Sequence, residues 1–105
     1  MDVDELSARL TAIASTQRLR ILAELAGGAV HVSELARRVG MSRALLYMHL
    51  TRLEESGYVT GRLELGPDGK ALKLFDLEPF EVTVDIRSIL AAVAVSPTPP
   101  SREQD

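Results

Sequence analysis

The sequence predicts a mainly α-helical domain that carries a single β-hairpin, and three observations lead to this fold class. Apolar residues recur at helical spacing in successive segments up to about residue 56. The period then changes to alternation between Tyr58 and Leu65, and a turn sequence and a second strand-like segment follow. A final segment at about 82–95, with apolar residues along one side, predicts a last helix.

The first two helices follow from spacing and from their boundary residues. Leu6, Leu10 and Ile13 are separated by four and three positions, which predicts an amphipathic helix over about 3–14. Ser15 or Thr16 is suited to cap a second helix that runs to about Ala26, where consecutive glycines stop it. The short apolar segment 29–32 that follows is interpreted as a single short strand.

Two further helices are predicted to be joined by a tight turn. The third begins at Val32 or Ser33 and ends at Gly40. Ser42 is suited to cap the fourth, which runs to about Ser56. One face of this fourth helix carries leucines at spacings of four and three, namely Leu46, Leu50 and Leu53.

The β-hairpin is predicted to project from the helical body. Its strands are Tyr58–Leu65 and Lys70–Glu78, and the sequence Gly-Pro-Asp-Gly at 66–69 is a strong turn signal. The sequence defines the start of the last helix poorly, because residues 82–84 are two valines and a threonine, which have low helix propensity. Residues 1–95 are therefore predicted to form one domain, and the proline-containing segment 96–105 a disordered tail.

Composition narrows the class of protein. The chain has 105 residues, of which 46% are hydrophobic, and this is normal for one globular domain. It has no cysteine, which excludes disulfides and thiolate chemistry. No apolar run approaches the roughly 20 residues that cross a bilayer, and the acidic N-terminus is unlike a secretory signal. A cytoplasmic protein without a membrane partner is expected.

The charge is unevenly distributed along the chain. The net charge is −3, which is unfavourable for binding nucleic acid. The stretch from Arg18 to Arg52, however, contains six arginines and two glutamates, whereas both ends are acidic. Attraction to phosphate is screened beyond roughly 8–10 Å, so that local basicity matters more than the total.

The third and fourth helices, with the turn 39–42 between them, match a helix-turn-helix. In that motif the first helix braces the second, whose N-terminal half then enters the major groove of DNA. A two-stranded hairpin directly after the second helix would be the wing of a winged helix-turn-helix. The fourth helix is therefore the predicted recognition helix.

The sequence resembles the ArsR-type winged helix-turn-helix regulators over about residues 5–78. The resemblance is carried by segments 15–22 (STQRLRIL), 32–42 (VSELARRVGMS) and 49–59 (HLTRLEESGYV). It implies a DNA-binding transcription factor, usually a repressor, that acts as a two-fold dimer through its first and last helices. Leu45 and Tyr47 depart from the pattern, because the family commonly has small hydroxyl residues there, and the sequence preference is expected to differ.

The predicted DNA contacts lie on the recognition helix and on the wing. Arg43 is suited to a guanine edge, Ala44 and Met48 to a thymine methyl group, and Tyr47 to a base or a phosphate. The helix cap and the far half of the helix are suited to the phosphate backbone. The full predicted set is Ser42, Arg43, Ala44, Tyr47, Met48, Thr51, Arg52, Arg62 and Lys70. The alternative for the helix is an ordinary solvated face, and for the wing an efficient turn and nothing more.

The predicted dimer surface combines the first and last helices. Its residues are Leu6, Leu10, Ile13, Ile86, Ile89, Leu90 and Val93. The alternative is that these residues cover the core of one protomer. The histidines His31 and His49 lack helical partners suited to a metal, and the third helix has no cysteine. No metal or other cofactor is therefore expected. His49 is predicted to have a structural role, and the alternative is a role in phosphate binding or in a response to pH.

Two other functions compete with DNA binding by a regulator. A winged-helix module that contacts only proteins would explain the net negative charge. A DNA binder regulated by a small apolar ligand would need a pocket, for which Phe75, Leu77, Phe80 and Ile86 are the candidates, although a plain core is the simpler interpretation. Catalysis is not expected, because the chain lacks a glycine-rich phosphate loop and a plausible Ser-His-Asp set.

Overall fold

The structure, a computed structural model, describes residues 1–96, and the predicted tail from residue 97 onward lies outside the described residues. Five helices and three strands confirm the predicted fold class. The helices are α1 (Val3–Ile13), α2 (Thr16–Leu25), α3 (Val32–Val39), α4 (Arg43–Glu55) and α5 (Ile86–Ala94). The strands are β1 (Val30–His31), β2 (Val59–Leu65) and β3 (Ala71–Leu77).

Side-chain caps fix where most of the helices begin. The Ser15 hydroxyl accepts a hydrogen bond from the Arg18 backbone N–H at the start of α2, and the Ser42 hydroxyl accepts one from that of Leu45 at the start of α4. Both serine caps were predicted. α3 begins at Val32 without a side-chain cap, so of its two predicted starts the earlier one is correct.

The start of α5 corrects the sequence analysis. The helix begins at Ile86, whereas 82–95 was predicted. Asp85 and Ser88 form a capping box, in which the Asp85 carboxylate accepts from the Ser88 N–H and the Ser88 hydroxyl accepts from the Asp85 N–H. The β-branched residues before Asp85 have low helix propensity, so this cap sets the boundary.

The three strands form one antiparallel sheet in the order β1-β3-β2. β2 pairs with β3 from Val59 opposite Leu77 to Leu65 opposite Ala71, which confirms the hairpin. The short strand β1 pairs with the other side of β3, where Val30 lies opposite Phe75. Because β3 is paired on both sides, β2 is left with one free edge.

The core lies between α2, α3, α4 and the base of the hairpin. Its most buried side chains include Ile21, Leu35, Leu46, Leu50, Leu53 and Tyr58, each 0% exposed. Gly40 ends α3 with φ +69° and Gly57 follows α4 with φ +82°, a conformation that residues with a Cβ rarely adopt. These two glycines set the directions in which α4 and then β2 leave the preceding helix.

Tyr58 joins α1 to the point where α4 passes into the wing. Its hydroxyl donates to the Arg9 carbonyl at 2.7 Å, and the Arg9 guanidinium lies over its ring, 4.6 Å from the centroid. Arg9 also donates to the Ser56 carbonyl at 2.9 Å. Phe80 meets the ring edge-on at 4.7 Å between centroids. The base of the wing is thereby fixed to the body.

Candidate nucleic-acid interface

The inner face of α4 is fixed to the core. Leu46, Leu50 and Leu53 are each 0% exposed, and Leu35 of the bracing helix α3 is equally buried. A leucine that is completely buried contributes about 1.5–3 kcal/mol to stability. Three such anchors along one helix give α4 a defined orientation, so that its opposite side is presented as a rigid surface.

The outer side of α4 is an exposed strip, which we call the α4 strip. Six of the residues predicted from the sequence to contact DNA share it, and all six are exposed. They are Arg43, Ala44, Tyr47, Met48, Thr51 and Arg52. Tyr47 is 41% exposed and Met48 is 52% exposed. Large side chains of this kind on a fixed helix supply apolar and hydrogen-bonding contact area together.

The N-terminal end of α4 is open to solvent. Ser42 is exposed, and its hydroxyl accepts from the Leu45 N–H at 3.1 Å. The Arg43 guanidinium reaches back to α3, where it donates to the Ser33 hydroxyl at 3.5 Å. This long hydrogen bond is weak and leaves most of the donors on Arg43 free.

Part of the basic stretch is neutralised by its own carboxylates. Arg37 and Arg38 both donate to Glu34, and these two hydrogen bonds lower the pKa of Glu34 to about 2. Arg38 also lies 3.7 Å from Glu24. The sequence analysis counted both arginines toward local basicity, but their charge is largely balanced within the protomer.

Arg52, in the last turn of α4, forms a longer ion pair than Arg37 and Arg38 form with Glu34. Its guanidinium lies 3.8 Å from the Glu55 carboxylate, and both side chains are well exposed. An exposed pair of this geometry contributes at most about 1 kcal/mol. Arg52 is therefore able to leave Glu55 for a more strongly charged partner.

His49 is structural, as predicted. It is 5% exposed, and its Nδ1 accepts a hydrogen bond from Arg18 Nε at 3.0 Å. Arg18 also donates to the Ala12 carbonyl at 3.2 Å, so it connects α1, α2 and α4. Burial, and secondarily the positive charge of Arg18, lower the pKa of His49 below its usual 6.5. The sequence analysis missed Arg18 because its partner is 31 residues away.

The low pKa of His49 predicts a pH-dependent stability. The unfolded chain takes up this proton before the folded protein does, so the contribution of neutral His49 is complete above pH 6.5. It is lost as the pH falls from there through the folded-state pKa, with a slope of at most about 1.4 kcal/mol per pH unit.

Urea unfolding between pH 7.5 and 5, a range well above the pKa of Glu34 at about 2, measures this loss. His49→Gln is expected to flatten the dependence, and His31→Gln, at an exposed position, is expected to retain it. An unchanged slope in His49→Gln would assign the dependence to other groups.

The wing carries fewer free cations than its sequence indicated. Arg62 donates to Asp76 Oδ2 and to Glu64 Oε2, each at 2.7 Å, so its charge is already balanced. The Lys73 ammonium lies over the Phe75 ring, 5.4 Å from its centroid. Lys70 is exposed beside the turn, where its backbone N–H donates to Asp68. Of the cations predicted to bind DNA from the wing, Lys70 is the more available.

Two polar residues beside the turn that leads into α4 were not singled out as site residues from the sequence. Gln17 and Arg20 of α2 line a cavity of about 310 Å³ together with Gly40, Met41 and Leu45. This places the exposed Arg20 next to the turn that leads into α4. The only signal in the sequence was an arginine outside the apolar positions of α2, which is common on any solvated helix.

Comparisons with known proteins agree with this geometry. The family model for the bacterial regulatory proteins of the arsR family matches residues 15–60, which contain α2, α3, α4 and the start of the wing. No curated protein sequence matches the chain. Among solved structures, reduced HlyU from Vibrio cholerae is 30% identical with a TM-score of 0.64, and the alignment covers 75% of this chain and 78% of HlyU.

The chain belongs to the arsR family of bacterial regulatory proteins.

Two further structures resemble this ArsR-family chain. NolR from Sinorhizobium fredii is 27% identical with a TM-score of 0.66, and 85% of this chain and 80% of NolR are covered. The winged helix-turn-helix DNA-binding domain of a possible ArsR-family regulator from Mycobacterium bovis is 28% identical with a TM-score of 0.63. That alignment covers 71% of this chain and 65% of the other, which is described as homodimeric. The chain is thus a transcriptional regulator with a winged helix-turn-helix DNA-binding domain, and its family is not one of enzymes.

α5 of this ArsR-family chain has most of its apolar surface uncovered. Ala92 is buried, and the Ser96 hydroxyl accepts from the Val3 N–H at 2.8 Å, so that α5 is held beside α1. The predicted dimer residues of α5 remain exposed, namely Ile86 at 65%, Ile89 at 37%, Leu90 at 61% and Val93 at 53%. We call these four residues the α5 face. Ser96, which was assigned to the tail, is part of this anchored structure.

α1 contributes less to this surface than was predicted. Leu6 is 7% exposed within the protomer and lines the groove between α1 and α5, so its part in a dimer surface stays a prediction. Ile13 is half-buried and packs against the core cluster. Leu10 lines a groove of about 330 Å³ between α1 and α5, together with Ile89. The reason is that part of the apolar side of α1 packs against the core of its own protomer and is therefore not available to a second protomer.

The proposed ligand pocket beside the hairpin is not formed by its four candidates. Phe75 is 3% exposed in the core, Phe80 packs on Tyr58, and Ile86 is 65% exposed on α5. Leu77 packs against the core cluster. Within residues 1–96 there is no group of three or more His, Cys, Asp or Glu side chains able to hold a metal ion. No helix in the same range is long and apolar enough to cross a membrane.

Proposed function

We propose that this chain is a sequence-specific repressor that binds duplex DNA as a homodimer, with α4 in the major groove and the β2–β3 hairpin as wing. One observation carries the proposal. Six of the nine predicted contact residues are exposed along α4, on a helix whose inner face is held by three completely buried leucines. The major groove is about 12 Å wide and admits one helix presented in this way.

Each side chain of the α4 strip has a chemical role in this docking. Arg43, in the first turn, is suited to donate two hydrogen bonds to a guanine edge. Ala44 and Met48 offer apolar contact to a thymine methyl group, and Tyr47 reaches a base or a phosphate. Ser42, Thr51 and Arg52 are suited to hold the phosphate backbone, a contact that fixes the register without reading the sequence.

The α5 face supports dimerisation. Four exposed apolar side chains on a helix of nine residues form a patch that soluble monomers rarely leave uncovered. The related domain from Mycobacterium bovis is homodimeric. A two-fold dimer through this face would present two copies of α4 to two half-sites, and the operator is then expected to be an inverted repeat.

The repressor role follows from the resemblance to the family, whose members usually repress. A dimer seated on promoter DNA would exclude other proteins from that DNA. Because bacterial DNA lies in the cytoplasm, the protein is proposed to work there. A small-molecule effector that releases the DNA is compatible with this role, and its chemistry is left open.

Binding-site selection with the purified protein, followed by fluorescence anisotropy at several salt concentrations, tests the proposal. We expect one enriched inverted repeat and an affinity that falls as salt rises. A folded dimer that binds no duplex even at low salt would contradict it. That outcome would favour the alternative function, a winged-helix module that contacts only proteins.

Replacing Lys70 by alanine tests the wing. We expect weaker binding to all duplexes and a salt slope smaller by about one, because one phosphate contact is lost. Lys73→Ala is the matched control, since its ammonium already lies over the Phe75 ring. Equal effects of both substitutions would show that the wing acts through its overall charge.

A further inference from the structure

The outer edge of β2 has open hydrogen-bonding groups. The Gly66 N–H donates to the Lys70 carbonyl and the Glu78 N–H donates to the Tyr58 carbonyl, so the even-numbered residues of this strand face β3. In an antiparallel ladder the intervening residues direct their N–H and C=O groups away from the partner. Gly61, Leu63 and Leu65 therefore form the free edge. Within residues 1–96, Gly61 is the only one of the three with a partner for its N–H, the Glu54 carboxylate at 3.0 Å.

The side chains on this edge are apolar and exposed. Leu63 is 69% exposed and Leu65 is 76% exposed, more than the residues of the α5 face. An open strand edge with large apolar side chains is a template for pairing with another strand, and proteins that avoid such pairing place charges or prolines there. Here the charges of Arg62 and Glu64 lie on the intervening residues, whose backbone groups face β3, so the open positions Gly61, Leu63 and Leu65 carry neither a charge nor a proline.

The charges on β2 are arranged symmetrically about Leu63. If two copies of β2 pair antiparallel with Leu63 opposite Leu63, then Arg62 of each copy lies opposite Glu64 of the other. Opposite charges in directly facing positions stabilise a strand pair, whereas like charges destabilise it. The neighbouring register, with Glu64 opposite Glu64, brings two carboxylates together. Charge therefore selects the register centred on Leu63.

We propose that the free edge of β2 is a self-association surface, at which the wings of two copies of this chain pair antiparallel about Leu63. Four backbone hydrogen bonds would form, two between the Leu63 residues and two from the Leu65 N–H groups to the Gly61 carbonyls. Glu54 retains the Gly61 N–H and so limits the pairing at that end. Each Arg62 would then lie between Asp76 of its own hairpin and Glu64 of the other copy.

This surface is separate from the α5 face and does not require DNA. It would join one α5-mediated dimer to the next, so that dimers bound at adjacent sites stabilise each other. From Val59 to Glu78 the wing has three cations (Arg62, Lys70, Lys73) against four anions (Glu64, Asp68, Asp76, Glu78), so its charge is nearly balanced and opposes the pairing of two wings only weakly.

Sedimentation velocity of the full chain without DNA, over a wide range of protein concentrations, tests the proposal. The wild type is expected to form species larger than the α5-mediated dimer as its concentration rises. Leu63→Lys places two ammonium groups opposite each other at the centre and is expected to abolish these species. Leu19→Lys changes an equally apolar residue, 53% exposed on α2, and is expected to leave them in place.

Two charge variants test the register itself. Glu64→Arg has arginine at both positions and Arg62→Glu has glutamate at both, so each is expected to weaken its own association about tenfold. Mixing the two variants restores both opposite pairs, and the larger species are expected to return. Circular dichroism shows whether Arg62→Glu, which meets Asp76, is folded. If Arg62→Glu does not fold, the comparison of Leu63→Lys with its control Leu19→Lys decides whether the wing mediates the association.

The proposal is overturned if the wild type never exceeds the dimer, or if Leu63→Lys associates as the wild type does. It is also overturned if the folded charge variants fail to associate when mixed. Retained association of every wing variant would assign the larger species to another surface. These outcomes do not depend on DNA binding. The expected size of the species rests on the α5-mediated dimer of the proposed function, and Leu63→Lys is expected to leave that dimer in place, so that failure of the α5 face and failure of the wing pairing are distinguishable.

Discussion

Leu90→Asp is expected to convert the proposed dimer to monomers. Leu90 is 61% exposed on α5, and a two-fold interface through this helix would contain it twice. Burying one leucine contributes about 1.5–3 kcal/mol, so losing two weakens the dimer by about 3–6 kcal/mol before any cost of burying aspartate. DNA binding should fall with it, because a monomer contacts only one half-site. Sedimentation equilibrium and anisotropy measure the two effects.

The matched control for this prediction is Leu19→Asp. Leu19 is 53% exposed on α2 and belongs to none of the proposed surfaces. It tests whether a carboxylate in place of any exposed leucine causes dissociation. If the Leu90→Asp variant remains a dimer, the α5 face is not the interface, and the groove between α1 and α5 would need another explanation.

Arg43→Ala is expected to weaken binding to the selected operator by about 1–3 kcal/mol, and to relax specificity at one base position. Arg43 is exposed in the first turn of α4, and among residues 1–96 the one hydrogen bond of its side chain is a long contact to Ser33. Breaking this weak hydrogen bond therefore costs little free energy when Arg43 turns toward a base. Anisotropy against the operator and against single-base variants of it measures both effects.

Arg37→Ala is the control for charge alone. Arg37 is an exposed arginine of the same basic stretch, but its guanidinium is bound by Glu34 on α3. We expect its removal to leave affinity nearly unchanged. A loss in Arg37→Ala equal to that in Arg43→Ala would mean that α3 contacts the DNA as well, and the proposed orientation of α4 would be wrong.

The sequence predicted the elements well where local chemistry decides them. Ser15 and Ser42 cap the helices that follow them, and glycines end α3 and α4, because capping and positive φ depend on neighbouring residues only. The periodicity of the leucines placed the buried side of α4 correctly. The exposed α4 strip is the other side of the same helix, so it followed from the same pattern.

The errors arose where a contact joins distant parts of the chain. Leu6 was assigned to a dimer surface although it is 7% exposed within its own protomer, because a helix stripe does not show what covers it; its part in a dimer stays a prediction. The charge of Arg62 was overestimated, because its partner Asp76 lies across the hairpin. Arg18 was missed for the same reason, since only folding brings it to His49.

By itself the sequence determined which segments are helices and strands, which side of each is apolar, and which side chains of α4 are free to contact DNA. These properties depend on residue spacing and on hydrogen bonds between near neighbours. The tertiary structure alone decided which charges are neutralised, which apolar stripes remain uncovered, and which edge of the sheet is open. Those properties depend on what lies opposite each side chain in space, and chain order does not specify it.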